Sequence, residues 1–226
     1  MGIHLVSGAT LSRNPRSGAL TRMARPERSV SSATSFAMSD PARWHRHGAP
    51  ATSTCHHPAS VTTGDARGSR DSVEFCFRSM SKADAEAIAA WRYPDEYAFY
   101  DWTSDPDDLA ELLDPVTRRD EYVAVDSKEG NLIGFFQYKR PRGHSLAIGL
   151  GLHPSWTGRG IGRSFLEAGL DYARHHFAPE QFTLSVASFN RRAITVYERA
   201  GFATVRVFNH ETNGCEWEFI EMRRPV

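Results

Sequence analysis

The chain has 226 residues, enough for one large domain or two small ones, with 27 Lys plus Arg against 27 Asp plus Glu and no formal net charge at neutral pH. That balance removes the electrostatic argument for a dedicated nucleic-acid binder, and no apolar run approaches membrane-spanning length. Three widely spaced cysteines, Cys55, Cys76 and Cys215, form no C-x-x-C pair, which argues against a disulfide scaffold or zinc module and fits a reducing cytoplasm.

Residues 1–70 come first and differ from the rest. They hold nine Arg, no Lys and three acids, a net of +6, leaving 18 basic and 24 acidic residues beyond them. Only two aromatics, Phe36 and Trp44, stand among many Ser, Thr, Pro and Gly. Such a segment buries too little apolar surface to offset its chain entropy, so a disordered extension is expected over 1–70 and a folded domain over 71–226. As a secretory signal, Gly2–Val6 is too short. Val6 stands where a myristoylation signal wants Ser or Thr. An organelle transit peptide suits the Arg-rich, Ser-rich composition, and so does a plain extension from an upstream start site. The cluster His45, His47, Cys55, His56 and His57 matches no ligand spacing, and no metal is expected.

Within the folded part, Val73–Ser79 alternates as a strand, and Ser81 with Asp84 forms a capping box for a helix over Lys82–Trp91. Ser104-Asp105-Pro106 caps a helix to Leu113. Strands follow at Glu121–Val125, Leu132–Lys139 and Ser145–Leu152, then a helix from Gly160 to His176 and a strand at Phe182–Ala187. Asn190 caps a further helix ended by Gly201, and a hairpin over Thr204–Phe208 and Glu216–Met222 closes around Asn213-Gly214. This order predicts one mixed α/β domain.

The informative segment is Leu152-His153-Pro154-Ser155-Trp156-Thr157-Gly158-Arg159-Gly160-Ile161-Gly162-Arg163-Ser164. Alternating glycines join a strand end to a helix start, where free amides and the helix dipole make a pocket for phosphate or pyrophosphate. Arg159 and Arg163 can add charge. A dinucleotide fingerprint would need glycine at Arg163, and a Walker loop would need a Lys that is absent. Gly149 and Gly151, inside the preceding strand, mark a bulge or a close backbone approach.

The glycine segment resembles the coenzyme A motif of the GCN5-related N-acetyltransferases (GNAT), and Asn190-Arg191-Arg192-Ala193-Ile194-Thr195-Val196-Tyr197-Glu198-Arg199-Ala200-Gly201-Phe202 resembles that family's second signature. Within the family, the chain is most similar to the ribosomal-protein alanine N-acetyltransferase group. Thr157 departs from the usual Gln or Arg. The resemblance implies a mixed sheet of about seven strands with about four helices and a splayed fourth and fifth strand. It implies acetyl-coenzyme A as co-substrate, with contacts from Leu150, Leu152, Thr157, Gly158, Arg159, Gly160, Ile161, Gly162, Arg163, Ser164, Asn190 and Ala193. It also implies Tyr197 as the acid that protonates the departing thiolate.

Ser185 stands where the alanine-acetyltransferase group has a glutamate, so no general base is identified. A peptide α-amine, with a pKa of about 7.7–8.0, needs less help than a lysine side chain. The aromatic, acidic segment from Trp91 to Trp102 lies where the family builds its acceptor wall, and serves as that wall or as a hydrophobic lid. His153 reads as a bystander. The expected function is acetyl transfer to an amine, a peptide N-terminus or a small molecule. The alternatives are a catalytically impaired coenzyme A sensor and RNA association through the Arg-rich extension. The expected protein is cytoplasmic, a monomer or homodimer, with no membrane and no nucleic-acid partner.

Overall fold

Alternating apolar strands and two amphipathic helices build one sheet with helices on both faces. A computed structural model describes residues 2–3, 54–56, 73–140 and 144–226. Two short strands, β1 (Gly2–Ile3) and β2 (Thr54–His56), precede β3 (Phe75–Ser79). Helix α1 (Lys82–Ala89) leads to 3₁₀ turns at Asp95–Tyr100 and Trp102–Ser104, then α2 (Pro106–Leu113) and α3 (Pro115–Glu121). Strands β4 (Tyr122–Ser127), β5 (Leu132–Lys139) and β6 (Ser145–Leu152) follow. After them come α4 (Gly162–Phe177), β7 (Gln181–Ala187), α5 (Arg191–Arg199), β8 (Ala203–Thr212) and β9 (Cys215–Pro225). The rest of 1–70, including His45, His47 and His57, lies outside the described residues.

The strands order as β2-β3-β4-β5-β6-β7-β9-β8, with β1 added on β6. Every pairing is antiparallel except β6 with β7. The seven strands β3 to β9 form the mixed sheet that the sequence predicts, and its fourth and fifth members are the parallel pair.

Period-two alternation sends one set of side chains to each face. Ile148, Leu150, Leu152, Leu184 and Val186 join Phe165, Leu166 and Leu170 of α4 and Ala193, Ile194 and Tyr197 of α5 in one core. Ala124, Phe135, Ala187 and Phe219 join Ile88, Trp91, Tyr93, Tyr100, Trp102 and Leu112 in the other. The two helical motifs therefore lie on one side of the sheet and the aromatic segment 91–102 on the other.

Several boundaries differ from the sequence expectation: α1 ends at Ala89, and β8 runs from Ala203 to Thr212. Helix α4 starts at Gly162, because Gly158 and Gly160 hold positive φ and form the loop before it. Helix α3 has no counterpart in the reading above. Strand β9 runs on to Pro225, and Arg224 extends it by meeting Glu167 of α4 at 3.0 and 3.1 Å. In β6 the register with β5 is continuous from Gly134↔Leu152 to Lys139↔Ala147, so its glycines mark no bulge. Gly151 is instead a close approach, since a methyl group there would overlap the Phe135 ring.

Candidate active site

Strands β6 and β7 pair at Ser145↔Gln181, Leu146↔Phe182 and Ala147↔Thr183, and then part. Beyond that point β7 continues against β9 to Ala187, while β6 continues against β5 to Leu152. A gap opens between two strands that each keep their outer partner. On its β6 side, Ile3 pairs with Leu150 and Gly2 with Gly151.

The glycine loop stands at the end of β6. Pro154–Trp156 forms a 3₁₀ turn, and His153 accepts the Ser155 N–H at its Nδ1, 3.2 Å away. Gly158 (φ 74°) and Gly160 (φ 79°) take left-handed backbone, which L side chains rarely adopt, and a side chain at either would meet open space. Ile161 occupies the N-cap of α4 and supplies no side-chain hydrogen bond, so no side chain caps the amides at this helix start. Ser164 Oγ turns back to the Ile161 carbonyl at 2.9 Å. Thr157, the departure from the family motif, donates its hydroxyl to the Pro154 carbonyl at 2.8 Å. Arg159 stacks over Trp156 at 4.8 Å, and Arg163 is exposed on the first turn of α4. The loop therefore offers backbone amides, one exposed guanidinium and one stacked guanidinium to an anion.

The other side of the gap is β7, and α5 follows it on the face of the sheet that carries α4. Asn190 is buried and accepts the Ala193 N–H at Oδ1, 3.2 Å away, which fixes the helix start. Its Nδ2 donates to the Tyr100 hydroxyl at 3.1 Å, and the Ala187 N–H donates to the same oxygen. Tyr197 is fully buried, and its hydroxyl has no hydrogen-bond partner among the described residues. Burial, with a smaller contribution from Tyr100, pushes its pKa well above the ordinary tyrosine value. It keeps its proton throughout the neutral range.

Segment 91–102 ties the two sides together. Tyr93 donates its hydroxyl to the Leu152 carbonyl at the end of β6, 2.9 Å away, while Tyr100 holds Asn190 at the start of α5. Asp101 accepts the Tyr93 N–H at 2.9 Å. The expected cation-attracting rings are partly engaged already: Arg192 lies 3.7 Å over Tyr97, and Phe99 packs edge-on to Phe189 and Trp217. Trp91 packs edge-on to His153 at 5.2 Å, and burial lowers the His153 pKa. Sequence reasoning marked the segment without singling out Tyr93 or Tyr100; an aromatic run alone does not tell which hydroxyl finds a distant partner.

Ser185 stands directly across from Glu221 of β9. That carboxylate is held by Arg206 at 2.6 Å and faces Arg223 at 3.9 Å. Both of its carboxylate oxygens thus face guanidinium groups.

Among the described residues, no three His, Cys, Asp or Glu side chains group as a metal site, and no helix is long and apolar enough to cross a membrane. Mycothiol acetyltransferase of Propionibacterium freudenreichii is 39% identical over 89 residues, 37% of this chain and 27% of that protein. The enzyme of the same name from Acidimicrobium ferrooxidans is 38% identical over 96 residues, 40% of this chain and 29% of its own. The chain thus spans under a third of the length of these curated relatives. Among solved structures, spermidine N-acetyltransferase from Vibrio cholerae in complex with CoA and spermine superposes with a TM-score of 0.56 at 22% identity, over 67% of this chain and 95% of that one. A GNAT-family acetyltransferase from Bacillus anthracis gives 0.55 at 15% identity, over 67% and 94%. These likenesses show the fold. The family description "Acetyltransferase (GNAT) domain" matches residues 74–203, more than half of the sequence, and the chain belongs to the GNAT acetyltransferase family.

Proposed function

We propose that the protein transfers an acetyl group from acetyl-coenzyme A to an amine by direct attack in a ternary complex. The observation that carries this reading is the Tyr197 hydroxyl of α5, buried and without a hydrogen-bond partner among the described residues. A buried hydroxyl without a partner is costly, and a thiolate sulfur arriving in the gap would supply an acceptor for it. The loop over 157–161 and the first turn of α4 fit the pyrophosphate, and the β6 edge at Leu150 fits the extended pantetheine arm. The Leu152 carbonyl accepts from Tyr93, so the proposed pantetheine contact falls at Leu150, whose partner in the structure is Ile3.

In this reading the amine lone pair attacks the thioester carbonyl carbon and the carbon–sulfur bond breaks. Tyr197 gives its proton to the departing sulfur, while the amine proton leaves to water. Asn190 and Tyr100 hold the start of α5 so that Tyr197 keeps its place. With Ser185 at the acidic position, the acceptor must supply much of its own neutral form. That favours an amine of low pKa, a peptide α-amine or a small molecule of similar basicity. The mycothiol and spermidine acetyltransferases support the reaction class without fixing the acceptor.

Coenzyme A release across a panel of N-terminal peptides and small amines tests the proposal. Turnover on a low-pKa amine is expected. Tight acetyl-coenzyme A binding with no turnover on any acceptor would replace it with a coenzyme-binding sensor.

A further inference from the structure

The β6 edge facing the gap carries backbone groups that need partners. Beyond Ala147 it has left β7, and its partners there are residues 2 and 3 of the chain itself. The register is antiparallel, Gly2 against Gly151 and Ile3 against Leu150. Gly2 stands opposite Gly151, where a Cβ would overlap the Phe135 ring.

We propose that the open edge of β6 is a slot for an extended peptide, and that its occupant is this chain's own Gly2–Ile3, in competition with the pantetheine arm of acetyl-coenzyme A. The competition rests on the functional reading above. The insertion rests on the register alone. Pantetheine carries two secondary amides in an extended chain, which is the hydrogen-bonding chemistry of a short strand. Both occupants need the same N–H and C=O groups near Leu150, so binding of one excludes the other.

Two paired residues make a weak contact, but a tethered segment acts at a raised effective concentration. Apparent coenzyme affinity then falls by the fraction of molecules whose slot is open. A slot filled nine times in ten weakens binding about tenfold. The segment is thus a built-in competitor, relieved by whatever removes or modifies it.

The test titrates acetyl-coenzyme A into the full chain and into the same chain carrying Gly2→Pro and Ile3→Pro. Proline removes ladder N–H groups and restricts the backbone, so it should expel the segment. The Kd is expected to fall at least threefold in the variant, and a peptide of residues 1–6 added at saturation should raise it again. Equal Kd values overturn the competition. If neither chain binds acetyl-coenzyme A while their melting temperatures agree, the functional reading fails and the competition with it. Amide exchange along 148–152 then judges the insertion separately: faster exchange in the variant upholds it, and equal exchange overturns it.

Discussion

The glycine loop after β6 and the buried tyrosines of segment 91–102 and α5 lie at opposite extremes of burial. Gly158, Arg159 and Gly160 are exposed, and the loop is set by its backbone conformation. Tyr93, Tyr100, Asn190 and Tyr197 are buried, and they carry three side-chain hydroxyls and one amide. The contrast teaches where damage should appear. Changes in the loop should cost binding and spare stability, whereas changes in the interior should divide according to whether a hydroxyl has partners.

Tyr197→Phe should give the largest effect. General acid catalysis contributes about 10²–10⁴-fold, so turnover should fall within that range. The melting temperature should hold or rise, because the lost hydroxyl has no partner to orphan. Pre-steady-state kinetics checks this even where product release limits the parent rate. An unchanged chemical step would show that Tyr197 only packs.

Gly160→Val comes next. A β-branched residue is strained at φ 79°, so acetyl-coenzyme A affinity should fall about a hundredfold by calorimetry. The fold should survive, since nothing crowds that position. Unchanged affinity in the folded variant would remove the loop from the cofactor site.

Tyr100→Phe should behave unlike its neighbour Tyr197. It strips the acceptor from Asn190 and from the Ala187 N–H, both buried, and should destabilise the protein by about 1–3 kcal/mol in denaturant unfolding. Turnover should fall less than for Tyr197→Phe, because this residue positions the start of α5. Equal stability losses for the two variants would erase the distinction drawn here.

The smallest effect lies on α2, away from both regions. Burial, with repulsion from Asp105 and Glu111, pushes the Asp108 pKa up to about 7. An unfolded Asp titrates near 3.9, so the folded chain holds this proton more tightly. Asp108 therefore favours the fold most below about pH 4, loses that contribution as pH rises towards 7, and is level above it. Asp108→Asn should raise the melting temperature modestly at pH 8 and hardly at all at pH 4. A gain of equal size at both values would contradict the raised pKa.

Much of this was legible in the sequence where local patterns carry the information. Alternation and turn residues place β5 and β6 at Leu132–Lys139 and Ser145–Leu152, and Asn190 announces α5. The loop glycines stand out because no side chain replaces them cheaply. Helix α3 escaped because it has no apolar stripe. Its buried residue is Arg118, which donates to the Leu113 carbonyl at 2.9 Å, and Asp114-Pro115 was the signal available. Tyr93 and Tyr100 escaped for another reason: their partners lie 59 and 90 residues away along the chain. Strand β1 is two residues long, too short for any periodicity to reveal.

The paired ties from segment 91–102 have a mechanical consequence. One end grips the last residue of β6 and the other grips the cap of α5, so the segment acts as a spacer bar between the walls of the gap. Prying the walls apart requires releasing Tyr93 or Tyr100 from a buried oxygen or amide. Displacement of either anchor is therefore resisted by a buried hydrogen bond at the other end of the segment.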